Sequence, residues 1–331
     1  VDRVAYLLGI HFGDDVERGH GGGRDDGARR LPHAGRMPAT PALQPRRAAL
    51  LMLVSVALFA LMDAGLKTLS AHYPPFQVAA MRGLSSLPLV LGWALASAGA
   101  SALLRVRWPL HLVRGVLGIL MMASFVYALK RLPLSTAYSI FFVAPLLITA
   151  LSVPILGEHV GPRRWTAIAV GLLGVLVVLR PTGEGVLTLA GLAVLVAAFG
   201  YAVSAILVRV LARTDSTQAT TFWLLALMAL GAGLLAWPGW VPLRGEHAAI
   251  IAGIGIAGAL GQYTITEAFR SGEASLVAPL EYSALVWGVL LDLSLWGVLP
   301  DGLTWLGAAI IVGSGLYLIR RERVHAEAEH P

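Results

Sequence analysis

The chain has 331 residues, of which 57% are hydrophobic and only 13% charged, with a mean hydropathy of +0.74. A soluble protein of this length needs roughly 25% charged residues to cover its surface, so lipid must be the main solvent. The net charge of +6 and pI near 10.0 do not mark a nucleic-acid binder, because the arginines occur in ones and twos between apolar runs and form no basic face. With no cysteine, disulfides, thiolate metal sites and cysteine nucleophiles are excluded.

Residues 1–46 read as a disordered tail. The stretch from Asp14 to Arg36 holds Gly21-Gly22-Gly23, Asp25-Asp26 and scattered arginines, and cannot bury enough surface to fold alone. The glycines are no phosphate loop, since no Gly-Lys-Ser/Thr follows. Met37 precedes the first basic pair, Arg46-Arg47, and is the expected start of the native product.

From Ala48 onward, apolar stretches recur at 48–70, 76–98, 110–130, 134–156, 163–180, 186–209, 217–237, 247–269, 273–295 and 303–320. Each approaches the ~20 residues that cross a ~30 Å hydrocarbon core. Backbone amides in lipid must be satisfied within their own segment, so the expected fold is all-α with ten transmembrane helices. Turn chemistry fills the breaks, as in Tyr73-Pro74-Pro75, Gly161-Pro162 and Pro300-Asp301-Gly302.

Charge sets direction. With the N-terminus inside, the cytoplasmic side carries Arg46, Arg47, Arg105, Arg107, Arg163, Arg164, Arg209, Arg213, Arg270, Arg320, Arg321 and Arg323. The opposite side carries only Lys130, Arg131, Arg180 and Arg244. This bias places both termini in the cytoplasm, and a bacterial inner membrane is the expected location.

Sliding the chain by 140 residues aligns it with itself. Val56, Ala57 and Phe59 fall on Val196, Ala197 and Phe199, and Ala128 and Ser135 on Ala268 and Ser275. Gly157, Trp165 and Arg180 fall on Gly297, Trp305 and Arg320. The Phe and Trp matches in one register carry the weight, because Ala and Val coincidences are cheap in such a chain. Five spans per half is an odd number, so the second half enters the membrane inverted. Inverted repeats are the usual plan of secondary transporters, with the substrate site between the halves.

The run Tyr127-Ala128-Leu129-Lys130-Arg131-Leu132-Pro133-Leu134-Ser135-Thr136-Ala137 continues through Pro145 to Gly157-Glu158, Trp165 and Gly171–Gly174. A second run leads from Glu267-Ala268-Phe269-Arg270 to Ala278-Pro279-Leu280-Glu281-Tyr282. Both resemble the EamA-type members of the drug/metabolite transporter superfamily, over about residues 48–321. The resemblance implies two inverted five-helix repeats, at 47–181 and 182–321, followed by a cytoplasmic tail at 322–331. It also implies transport of small organic metabolites such as amino acids, amines, vitamins or drug-like solutes. One departure is Gly297-Val298 where the first half has Gly157-Glu158, which separates Glu158 from any role shared by the repeats.

Ionisable groups inside spans cost about 2.5–3.5 kcal/mol on insertion scales, so each needs a reason. Glu281 lies deepest, and Pro279 before it removes an intrahelical hydrogen bond. A carboxylate beside a broken ladder suits cation binding or proton titration; the alternative is a buried glutamate bonded to a neighbouring helix. Asp63 and Lys67 share one helical face, with Arg82 at similar depth. They form either a charged vestibule or a self-neutralising structural triad. Arg114, Glu267 and Asp292 read as interfacial or snorkelling groups near span ends, and Glu158 as a partner of Arg163 and Arg164.

Tyr138, Phe141, Phe142, Tyr201, Tyr263, Tyr282 and Trp287 could wall a cavity. Tyr138, Phe141 and Phe142 cover more than one face, so they cannot all share it. Small-residue stripes at Gly253, Ala257 and Gly261, and at Ala167 and Gly171, allow close helix packing, within the chain or in a homodimer. No metal or cofactor is expected, and the partners are a small-molecule substrate and membrane lipid. A membrane-embedded enzyme would need clustered catalytic residues, yet the nine histidines are scattered and neither His-Glu-x-x-His nor Gly-x-Ser-x-Gly occurs. A non-transporting scaffold or receptor subunit remains the third alternative.

Overall fold

A computed structural model describes residues 45–156, 161–179, 188–212, 214–271 and 278–329. The N-terminal segment with Met37, Glu158 with its expected ion pair, Arg180, and the first residues of the ninth expected span lie outside the described residues.

The described chain is helical, with no strand among the described residues. Its elements are α1 (Pro45–Ser70), α2 (Pro75–Ser97), α3 (Trp108–Leu129), α4 (Leu134–Phe141), α5 (Ala144–Leu156) and α6 (Pro162–Leu179). They continue with α7 (Leu189–Leu211), α8 (Thr217–Ala236), α9 (Ala248–Ser271), α10 (Ala284–Trp296) and α11 (Gly302–Glu329). A short helical turn, Ala100–Leu104, follows α2, and a 3-10 segment, Ala278–Ser283, leads into α10.

Seven of these stretches are long and apolar enough to cross a membrane, with α4 and α5 together forming one of them. The apolar parts of α6 and α11 are shorter, at Trp165–Val178 and Gly302–Tyr317. No more than half of any of the seven spans is buried within the protein. The outward faces keep large apolar side chains such as Leu50, Leu61, Leu112 and Leu173 exposed. In water that surface would be untenable; in hydrocarbon it costs nothing.

Local chemistry fixes the ends. Pro75 opens α2, where its missing amide hydrogen is no loss. Thr188 and Ser216 cap α7 and α8 by accepting from the Gly191 and Ala219 amides. Gly297, in the left-handed region at φ +65°, closes α10 while the Val298 amide donates to the Asp292 carbonyl.

The most extensive helix pairs are α1 with α9, α2 with α8, α6 with α11 and α3 with α7. Small residues let these backbones approach. The α9 stripe differs from expectation, because Gly253 faces open space and the close approach falls at Gly255, where a methyl group would overlap the Ser85 carbonyl of α2. Gly171 does act as expected, lying against Leu146 and Ser314.

Opposite ends of the bundle carry separate polar pins. At one end the Tyr73 hydroxyl sits 2.8 Å from His247 Nδ1 and accepts from the Arg244 amide at 3.0 Å. Beside it the Gln77 amide bonds Val241 in both directions, at 2.6 and 2.9 Å. At the other end buried Asp215 accepts from His111 Nε2 at 2.8 Å, from the Arg107 amide at 3.1 Å and from the Thr214 hydroxyl at 2.6 Å. Burial pushes the Asp215 carboxyl up, but hydrogen bonds from Thr214, His111 and the Arg107 amide, with attraction to His111, outweigh it and hold the group below its ordinary value.

A depressed folded-state value makes this contribution complete above about pH 4 and lost as pH falls through the folded value. Asp215→Ala should therefore cost about 3 kcal/mol at neutral pH and remove part of the acid-side decline. Thermal unfolding in detergent between pH 3 and 7 measures both; an acid limb identical to the wild type would count against this role.

Candidate functional site

The α4 segment begins without a local cap: Pro133 precedes it and offers no side-chain acceptor. The first amides of a helix have no intrahelical partner, and in a membrane water cannot supply one. Asp292 of α10 does so instead. Its Oδ1 accepts from the Leu134 amide at 2.9 Å, and its Oδ2 from the Ser135 amide and hydroxyl at 2.8 and 2.7 Å. Lys67 Nζ of α1 completes the set at 3.1 Å from Oδ1, and lies 4.3 Å from the centroid of the Trp296 ring. The Asp292 side chain is fully buried.

Asp292 lies near the end of α10, as expected, with its side chain buried and paired instead of snorkelling outward. The expected triad is also rearranged, for Lys67 pairs with Asp292. Asp63 instead accepts from the Tyr138 hydroxyl at 2.9 Å. Arg82 is close enough to Asp63 for direct electrostatic attraction, while its Nε is buried with no hydrogen-bond partner. Asp63 and Arg82 are packed around by protein, yet both keep some accessible surface.

A second group lies deeper. Tyr138 and Phe142 are four residues apart, about 6 Å along the helix axis and on one face. Phe142 stacks edge-on against Tyr282, with centroids 5.0 Å apart. At this level both crossing segments are broken, since α4 ends at Phe141 and resumes as α5 at Ala144. The opposing strand of chain is 3-10 from Ala278 to Ser283 before α10 begins. Glu281 sits in that break, close enough to Tyr201 and Tyr282 to interact electrostatically with both. Among the described residues no cation is paired with its carboxylate. The neighbouring Tyr282 and Ser283 hydroxyls are buried without partners.

The aromatics divide as their helical spacing requires. Phe141 turns to Phe125 and Tyr201, at centroid distances of 5.7 and 5.4 Å, while Phe142 faces Tyr282. Tyr263 contacts Trp93 at 6.2 Å and Trp287 remains partly exposed; neither joins the two polar groups through a ring contact or hydrogen bond among the described residues. Arg114 bonds the Ser204 hydroxyl and the Thr220 carbonyl, joining α3 to α7 and α8.

The upper group thus holds the Lys67–Asp292 salt bridge, with Arg82 near enough to Asp63 to attract it. The lower group sets a carboxylate with no cation partner among the described residues beside aromatic rings and hydroxyls, which is the chemistry of a small-molecule site. Tyr138→Phe should cost about 2 kcal/mol, as a hydrogen bond to a charged group does, and should leave Asp63 reliant on Arg82. Thermal unfolding of the purified variant measures it; an unchanged midpoint would mean that this contact carries no weight.

The EamA-like transporter family model matches the chain twice, over residues 46–180 and 188–321. A riboflavin transporter of Rhizobium johnstonii is 32% identical over 72% of this chain and 78% of its own. A pseudopaline exporter of Pseudomonas aeruginosa is 28% identical over 83% and 96%. A solved crystal structure, 25% identical, superposes with a TM-score of 0.58 over 83% of this chain and 98% of that one.

Proposed function

Because the chain belongs to the EamA-like transporter family, we propose that it is a secondary transporter carrying small organic metabolites by alternating access between two inverted five-span halves. The shorter α6 and α11, and the broken segment from Ala278 to Trp296, complete ten spans with the seven longer stretches. Both termini then lie at the Asp215 end, which the arginine bias makes cytoplasmic, in a bacterial inner membrane.

Helix contacts support the inverted arrangement. A shift by one half carries the α1–α9 pair onto α7–α3, and the α2–α9 pair onto α8–α3. The pairs α2–α8 and α6–α11 map onto themselves. The same exchange holds between residues. Gly171 lies against Ser314 and Gly174 against Ile311, and the 140-residue offset converts one pair into the other. Phe142 and Tyr282 are themselves offset partners in contact, as residues on a two-fold axis must be.

The observation that carries the site is Glu281: a carboxylate in a broken helix, without a cation partner among the described residues, at the crossing of the two halves. It suits an amine-bearing solute or a coupling proton, with Tyr282, Phe142 and Tyr201 as walls. Asp63, Lys67, Arg82 and Tyr138 line the approach. No nucleotide-binding motif supplies energy, so the transport is driven by exchange or an ion gradient. Substrates named for the relatives, riboflavin and pseudopaline, are the first solutes to test.

In proteoliposomes under an imposed proton gradient, a panel of riboflavin, amino acids, amines and nucleosides should yield at least one solute that moves. Glu281→Gln should reduce that flux by about tenfold or more. Wild-type flux in Glu281→Gln at every pH would remove Glu281 from the mechanism. Chemical turnover of a solute without flux would replace the transporter reading with an enzyme.

A further inference from the structure

We infer that Asp292 is the hub of a one-sided latch, which holds shut the mouth at the Tyr73 end and is not repeated at the positions that the 140-residue offset assigns to its charged members. This rests on the alternating-access reading and adds to it which mouth is closed at rest, and by which residues.

Not every polar contact between the halves can gate. The pins at the two ends occupy matching places, because the 140-residue offset places His247 on Arg107, whose amide joins the Asp215 pin. Both pins are made at once in this structure. They therefore belong to the frame that stays fixed when access alternates.

Asp292 behaves differently. Its donors Leu134 and Ser135 belong to the first half, as does Lys67, whereas Asp292 belongs to the second. The offset carries Asp292 onto Ser152 and Lys67 onto Leu207. Asp63, Arg82 and Tyr138 fall on Val203, Phe222 and Ala278. Every charged or hydroxyl-bearing member of the upper group except Ser135 is thus replaced by an apolar or short side chain. If the halves exchange shapes, the positions equivalent to Asp292 and Lys67 carry no charges to join them.

Packing reinforces the closed mouth. One turn inward of Asp292, Gly288 lies against the Tyr138 ring and the Ser135 backbone, where a methyl group would press on both. The α4 and α10 backbones therefore meet directly beneath the four donors. Opening requires withdrawing Asp292 from the α4 amides, for which Pro133 offers no side-chain cap. The state captured here is the one these bonds favour, and Asp292 acts as a positioning residue for transport, not as a group that touches the solute.

The chain contains no cysteine, so single reporters can be introduced directly. Ala284→Cys lies one further turn inward on the Asp292–Gly288 face. A membrane-impermeant maleimide applied separately to each face reads its access, with Glu246→Cys and Arg105→Cys marking the Tyr73 and Asp215 faces. Asp292→Asn should raise labelling of Ala284→Cys about tenfold from the Tyr73 face alone. Ser135→Ala, which removes one bond and leaves the amides, should raise it a few-fold from the same face. Ser152→Ala should change neither.

An equal rise from both faces would mean general loosening and would overturn the latch, as would no rise in both variants. Where Asp292→Asn does not purify as a monodisperse protein, Ser135→Ala decides. One-sided opening in a chain that moves no solute would keep the latch and remove the transporter reading. Solute flux without one-sided opening in the variants would remove the latch alone.

Discussion

The structure depends on a constraint at the start of α4, a helix with no cap of its own. Its first amides must find acceptors from elsewhere, and Pro133 brings none. Asp292 answers by burying a carboxylate against two backbone amides and a hydroxyl. A buried carboxylate in turn demands a cation, and Lys67 supplies it from α1. One unsatisfied helix end thereby draws three segments, far apart in sequence, to a single point.

From that point the rest of the upper group follows. With Lys67 committed to Asp292, Asp63 is released from its helical neighbour and turns to Tyr138 and Arg82. Tyr138 then sets the face of α4 that points inward, and Phe142, one turn on, meets Tyr282 where both segments break. Glu281 occupies the second break with no such cation among the described residues. The upper group is held by charge, and the lower one is not.

Much of the fold was legible in the sequence. Of the ten expected spans, seven stretches among the described residues are long and apolar enough to cross, and proline and glycine mark several of their ends. The matches of Phe59 with Phe199 and Trp165 with Trp305 marked the repeat before any contact was known. Pairing among the charges was not legible. Local spacing favoured Asp63 with Lys67, four residues apart, over Asp292, which is 225 residues from Lys67. A clue existed, in that an uncapped α4 needs a remote acceptor and Asp292 interrupts an otherwise apolar run. Spacing also chose Gly253 in α9, whereas the close approach falls at Gly255, since the face toward α2 is set by tertiary packing and not by the stripe itself.

Duplication explains why the charges can be so unevenly placed. Two halves descended from one unit begin with equal mouths, and the retained exchange of Gly171–Ser314 with Gly174–Ile311 keeps the crossing of α6 and α11 even. Here packing between small residues serves both halves alike, so neither is free to drift. A buried charge is a different matter. It costs several kcal/mol unless it is paired, so once one half carries Lys67 and the other Asp292, the pair is retained or lost together. Leu207 and Ser152 at the offset positions impose no such demand. Packing can therefore stay symmetric between the halves while electrostatics does not.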